Sequence, residues 1–338
     1  MALSQYYKYE QKGWKLSLGC PLSLYTQTLD DRVRRDKQAY THLLVSPSAS
    51  AGYERHDWSG SVNASYHKNV GDPGGIYSGY VMNNYRSFQR SYVEQLAETD
   101  RVNVGVTLAY RNAINATFLR VNANYSHTRD NQIYGYEYHG ATSVVQAIDR
   151  NTTSDSYHLG FDGSKGFDWM QATIRSFAGY GYSQSERLIA RELYPFHSRT
   201  VSIGAGGTVT PLPWFNIVLS SGYAWNVSET DGGRQDMAQT VRTATQRLSL
   251  NFYVTRQITL TASAEDNYNN LTAKNRHAWF GDVSAKYKLK HVDLELQANN
   301  LFNQKQYTRV NYSGLDIHTQ TSQLRPMNIV GTIRFNLL

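Results

Sequence analysis

Cysteine is almost missing from this sequence: Cys20 stands alone among 338 residues. No internal disulfide framework can form, and beside Pro21 the thiol has no metal-ligand spacing, so it reads as structural. Long apolar runs are missing too. Nothing approaches the ~18 consecutive apolar residues of a membrane-spanning helix, hydrophobic residues make up only 40%, and mean hydropathy is -0.55. A soluble chain of this length would normally carry richer Leu, Ile and Val runs for its core. A barrel strand, by contrast, needs only ~9–11 residues with one apolar face. Concentrated charge is also lacking. The formal charge of +7 comes from scattered Lys and Arg, without the basic block that nucleic acid would require. The ten His are equally dispersed, and residues such as His56, His127, His139 and His277 form no HExxH or HxH pattern. No enzyme, cofactor or metal centre is expected. Finally, Met1-Ala2-Leu3-Ser4-Gln5 shows no basic n-region, apolar h-region or small-residue cleavage site.

What the sequence does contain is alternation. Ile258, Leu260, Ala262 and Ala264 share one face of a strand, and Thr259, Thr261, Ser263 and Glu265 share the other. Val292, Leu294, Leu296 and Ala298 repeat the pattern, as do Leu248, Leu250, Phe252 and Val254. So do Val102 to Leu108, Leu119 to Tyr125, and Ile329 to Leu337. No segment shows a helical period. Connections come in two lengths that alternate along the chain. Short ones fall near Gln11–Gly13, His56–Trp58, Arg111–Asn115, Lys165–Asp168, Thr210–Pro213, Thr255–Gln257 and Lys288–His291. Long polar ones are expected at Asp30–Tyr40, Gly71–Asp100, Asp130–Thr153, Glu186–His197 and Glu229–Thr240. Transmembrane up-and-down barrels segregate loops in this way, with short periplasmic turns and long extracellular loops. Trp14, Trp58, Trp169 and Trp214 lie beside short turns, while Trp225 and Trp279 lie toward the long-loop ends; that is the spacing of two interfacial girdles. The expected fold is an all-β antiparallel up-and-down transmembrane barrel. About fifteen strands fit, an odd number for a single-chain bacterial barrel.

The run NNLFNQKQYTRVNYSG (Asn299–Gly314), then QLRP (Gln323–Pro326) and VGTIRFNL (Val330–Leu337), resembles the C-terminus of TonB-dependent outer-membrane receptors. Upstream, GYVMNNYRSFQR (Gly79–Arg90), LAYRNAINATFLRVNANYSHTRDN (Leu108–Asn131) and DWMQATIRSFAGYGYSQSE (Asp168–Glu186) are similar to the Bacteroidetes type, which carries a carboxypeptidase-regulatory-like N-terminal domain and a plug. The resemblance implies that residues 1–338 form the C-terminal part of a barrel of about 22 strands with a plugged lumen, the signal peptide, plug and first strands being absent. It also implies outer-membrane lipid, the plug and the TonB complex as partners, the last two through the full-length protein. Uptake of a scarce small solute or oligomer is the expected function, and the alternative is a passive pore or structural surface barrel. The family's terminal aromatic is replaced by Leu338, and no TonB box is present.

Two groups of residues are candidates for solute binding. Arg120, Arg175, Arg247 and Glu265 have the parity of the lumen face, where they would meet the plug, water or a passing solute. Tyr80, Tyr85 and Arg86, with Tyr77, Phe88, Arg90 and Tyr92, give the Gly71–Asp100 segment the Tyr/Arg mixture of a recognition surface. Gly204-Ala205-Gly206-Gly207 sits inside a strand pattern with no helix following. It is expected to relieve crowding in a curved wall and not to cradle phosphate.

Overall fold

A computed structural model describes residues 2–31, 36–72, 80–91, 93, 95–139, 142–189, 192–231, 237–272, 276–313 and 316–335. Its strands, in chain order, begin with β1 (Ala2–Leu3), β2 (Tyr6–Gln11), β3 (Trp14–Gly19), β4 (Leu22–Asp31), β5 (Asp36–Val45), β6 (Ser48–Arg55) and β7 (Trp58–Val70). Next come β8 (Val81–Asn84), β9 (Ser87–Ser91), β10 (Glu98–Asn112), β11 (Thr117–His139), β12 (Thr142–Phe167), β13 (Ala172–Ile189) and β14 (Glu192–Leu212). The series ends with β15 (Phe215–Thr230), β16 (Met237–Tyr253), β17 (Ile258–Asn269), β18 (His277–Lys288), β19 (Val292–Asn299), β20 (Gln306–Ser313), β21 (Asp316–Gln323) and β22 (Asn328–Phe335). One 3-10 turn, Trp169–Gln171, is the only helical element among the described residues.

Fifteen of these strands form one continuous antiparallel wall. Pairing runs β2-β3-β6-β7-β10-β11, then without interruption from β11 to β19, and finally to β22. The first and fifteenth members of an alternating series point the same way. The two edge strands, β2 and β22, therefore cannot close on each other antiparallel, and the barrel is open among the described residues.

Register turns the sequence alternation into two continuous faces. Tyr53, Gly60, Leu108, Val121, Phe161, Ala178, Ile203, Tyr223 and Ala244 form one unbroken cross-strand row. The adjacent row, on the other face, reads Gly52, Ser61, Thr107, Asn122, Gly160, Gly179, Ser202, Ala224, Thr243 and Asn269. No described residue covers the apolar face: Leu108 is 53% and Ile203 52% exposed. An apolar surface of this extent is stable only against another apolar medium.

At the short-turn end, Lys12 and Gly13 both take positive φ, 50° and 85°, as a two-residue hairpin requires. Trp14, Trp58, Trp169 and Trp214 are exposed beside such turns. All seven short connections expected from the sequence fall between strands or at their ends.

The far ends differ from expectation. The segments read as long polar loops are largely paired strand: β11 and β12 continue as a ladder out to His139 and Thr142, β13 and β14 out to Ile189 and Glu192, and β15 and β16 out to Thr230 and Met237. β4 and β5 pair through Asp31 and Asp36. Polar residues hid these extensions, because a hairpin standing in water needs no apolar face; its backbone groups bond across the ladder all the same. Gly71–Asp100 also contains structure. β8 pairs with β9, and β9 runs parallel to β12 over Ser143 to Ala147. Most of the buried apolar residues lie at this end, in and around this added sheet: Val70, Val93, Leu96, Ile133, Val144 and Ala147.

A bulge at Asp130/Gln132 marks where wall becomes extension. Asn131, released from the ladder, accepts from the Glu98 N–H at 2.7 Å and donates to the Leu96 carbonyl at 2.9 Å, and Gln132 donates to the Gln95 carbonyl. Just below, Tyr125, Tyr157 and Tyr182 form an aromatic ladder on the apolar face, with ring centroids 4.9 and 6.2 Å apart. Beyond it that face becomes polar. Asp155 accepts hydrogen bonds from His127 Nδ1 at 2.9 Å and the Tyr125 hydroxyl at 2.7 Å, and the two donors, His127 foremost, hold its carboxyl below the ordinary range.

Candidate lumen site

The polar face gathers around one cavity of about 1200 Å³ near the short-turn end, lined by residues from β6 to β16. Side chains from so many strands share a space only on the concave side of a curved sheet, so the polar face is the inner one. Arg120, Arg175 and Arg247 all line this cavity, together with Arg111, Asp162 and Phe177.

Two neighbouring cross-strand rows position them. In one, Arg120 stands opposite Asp162, which stands opposite Phe177, which stands opposite Gly204. In the other, Arg175, Gly206, Ser220, Arg247 and Glu265 follow on successive strands. The glycines have a steric reason. A side chain at Gly204 would strike the Phe177 ring, and one at Gly206 would lie 2.9 Å from the Leu219 carbonyl. Gly206 and Ser220 also leave open floor between Arg175 and Arg247, whose Cα atoms are separated by three inter-strand steps, roughly 14 Å.

The arginines differ in their partners. Arg247 is engaged: its Nε and Nη2 donate to the two carboxylate oxygens of Glu265 at 2.7 and 3.3 Å, and Asn267 donates to the same carboxylate at 2.6 Å. Arg111 lies over the Phe118 ring, 5.9 Å from its centroid. Arg120 and Arg175 are exposed to the cavity and make no side-chain hydrogen bond or ion pair with any described residue. Two guanidiniums that face a concave, open-sided cavity and are unpaired among the described residues can take up an anionic group by paired N–H donation.

The remaining candidates lie at the opposite end. Tyr80 is 61% and Tyr85 77% exposed; the Arg86 guanidinium sits 5.1 Å from the Tyr85 ring centroid, and the Arg86 carbonyl accepts from the Ser143 N–H. Phe88 is in β9, beside Val144 of β12. Tyr77, Tyr92 and the Arg90 side chain lie outside the described residues, as do Leu337 and Leu338. Sequence parity missed Asp162, because its place beside Arg120 depends on register between two long strands. It also missed what Asn300 does within Asn-Leu-Phe-Asn. Asn300 takes φ 57°, donates its amide to the Gln304 and Arg325 carbonyls, and accepts from the Gln304 N–H; its own N–H reaches Asp282. That one side chain ties the β19 end to the start of β22.

No family model matches the sequence, and neither does any curated protein. Solved structures do match. The chain is similar to a mutant of the ferric enterobactin receptor from Pseudomonas aeruginosa, with TM-score 0.53 and 10% identity over 88% of this chain and 44% of that one. Another mutant of that receptor, in complex with enterobactin, gives 0.51 and 12% over 88% and 45%. The siderophore receptor PirA from Acinetobacter baumannii gives 0.50 and 11% over 93% and 43%. The chain spans less than half the length of these receptors. At such identity the shared property is architecture: these residues fold as the antiparallel barrel wall found in siderophore receptors.

Proposed function

We propose that the chain is the barrel portion of an outer-membrane receptor that takes up a scarce solute in a TonB-dependent manner. The observation carrying this reading is the pairing of an apolar face that no described residue covers with a concave polar face whose cavity presents Arg120 and Arg175 without side-chain partners among the described residues. A wall that is apolar outside and polar inside suits lipid on one side and a solute path on the other. In this reading the lumen arginines hold an anionic group of the solute or of the plug, while Tyr80, Tyr85 and Arg86 meet the solute at the extracellular rim. Coupling to TonB belongs to the full-length protein, whose Bacteroidetes-type domain plan is the one its sequence resembles.

Two measurements test the proposal. The full-length protein in a planar bilayer should show a closed lumen, and uptake in cells should stop when TonB is deleted. A large, steady open conductance together with TonB-independent uptake would establish the passive-pore alternative instead.

A further inference from the structure

Resting on the outer-membrane reading, a second cationic feature lies on the opposite face of the wall. Arg199 of β14 belongs to the apolar-face row that contains Tyr125, Tyr157 and Tyr182, and it stands opposite Val227 of β15. Arg242 of β16 stands opposite Trp225 of β15, on the same face. Both arginines are exposed, and neither side chain has a partner among the described residues. Trp225, 40% exposed, lies between them. The carboxylates of this face are set apart or occupied. Glu229 is one row further out, opposite His197; Asp231 is 3.3 Å from His197 Nε2; Asp266 is held by His277 Nδ1 at 2.8 Å.

An unpaired guanidinium on a lipid-facing surface is costly at mid-membrane and nearly free at the interface. There it meets phosphate, for which its planar fork is suited. We propose that Arg199 and Arg242, on either side of Trp225, form a docking site for a phosphate-bearing lipid headgroup of the outer leaflet. The acyl chains of that lipid would lie on the apolar stripe directly below, along Val201, Ile203 and Tyr223. The two Cα atoms are two strands and two residues apart, roughly 11 Å, so one headgroup with two phosphates can reach both.

The test uses the full-length protein in detergent and native mass spectrometry. The probes are lipid A carrying both phosphates and the same lipid after enzymatic dephosphorylation. Phosphorylated lipid should be retained, and the double variant Arg199→Ala, Arg242→Ala should weaken that retention by about tenfold or more. The double variant to Lys, which keeps charge but not the fork, should fall between the two. Equal retention of dephosphorylated lipid, or undiminished retention by the Ala variant with its heat-resistant electrophoretic mobility intact, would overturn the site. A separate readout addresses the reading on which it rests. Brominated acyl chains should quench the fluorescence component that Trp225→Phe removes. Absence of that quenching would overturn the orientation of the wall itself, and quenching without phosphate selectivity would overturn only the headgroup site.

Discussion

Substituting arginine at two adjacent positions of β17 tests the orientation of the wall at single-residue resolution. Ala262 stands between Leu250 and Val283 on the apolar face, and Ser263 stands between Ser249 and Asp282 on the polar one. Ala262 is four residues beyond Ile258, about 13 Å along the strand, which at a tilt of ~40° is about 10 Å into an apolar band ~25 Å tall. Arginine near the midplane costs about 2–4 kcal/mol, against about 0–1 kcal/mol near an interface. Ala262→Arg should therefore lower stability by that larger amount, a factor of about 30 to 1000 in the folding equilibrium. Ile258→Arg, beside the short turn, should cost at most about 1 kcal/mol. Ser263→Arg should be close to neutral, since it enters the lumen beside Asp282. The assay is equilibrium unfolding of the protein in phospholipid vesicles, with denaturant midpoints compared at constant slope. Equal losses at 262 and 263, or a greater loss at 263, would refute the assignment of faces.

Other perturbations address the hairpin end and the lumen. Asn131→Ala leaves the Glu98 N–H and the Leu96 carbonyl without their partner, which should cost about 1–3 kcal/mol; faster amide exchange confined to residues around 96–98 is the expected signature, and unchanged exchange would show the clamp to be idle. The Asp155 carboxyl is held below its ordinary range by His127 and Tyr125, so its contribution is complete above the unfolded Asp value near ~4 and disappears as pH falls through the lower folded value. The outer part of the β11–β12 ladder should consequently loosen in acid, measured by amide exchange, and Asp155→Asn should flatten that dependence. A double-mutant cycle on Arg247 and Glu265 should give a coupling of about 1 kcal/mol or less, because the Arg247 side chain is 63% exposed; a coupling of several kcal/mol would mean that the cavity is far drier than its exposure indicates.

The wall was legible in the sequence because a lipid-facing strand has to alternate, and segments such as Gln257 to Tyr268 state their period directly. Turn positions were legible for a related reason: residues such as Lys12-Gly13 and Pro213-Trp214 interrupt the alternation with turn chemistry and interfacial tryptophan. The hairpin extensions were not. Residues 131–139 and 142–150 are held by ladder hydrogen bonds in water, and such bonds place little demand on side-chain pattern. The lumen group was half legible. Parity put Arg120, Arg175 and Arg247 on one face, yet their convergence on one cavity depends on sheet curvature, and the place of Asp162 beside Arg120 depends on the β11–β12 register. The Asn-Leu-Phe-Asn run was recognisable as a pattern; the four hydrogen bonds that give Asn300 its purpose are visible only in three dimensions.

The common direction of β2 and β22 restricts which assemblies the wall can enter. A two-fold axis that joined β22 to β22 of a second copy would make an antiparallel seam, but it would also turn that copy upside down in the bilayer and send its long hairpins to the opposite side. A rotation axis along the membrane normal keeps both copies upright, yet it brings β22 against β2 in parallel. Copies of these fifteen strands alone therefore have no upright, all-antiparallel ring open to them. Such a ring requires strands of different sequence, in odd number, between the two edges, and until they are in place both edges remain templates for misassembly.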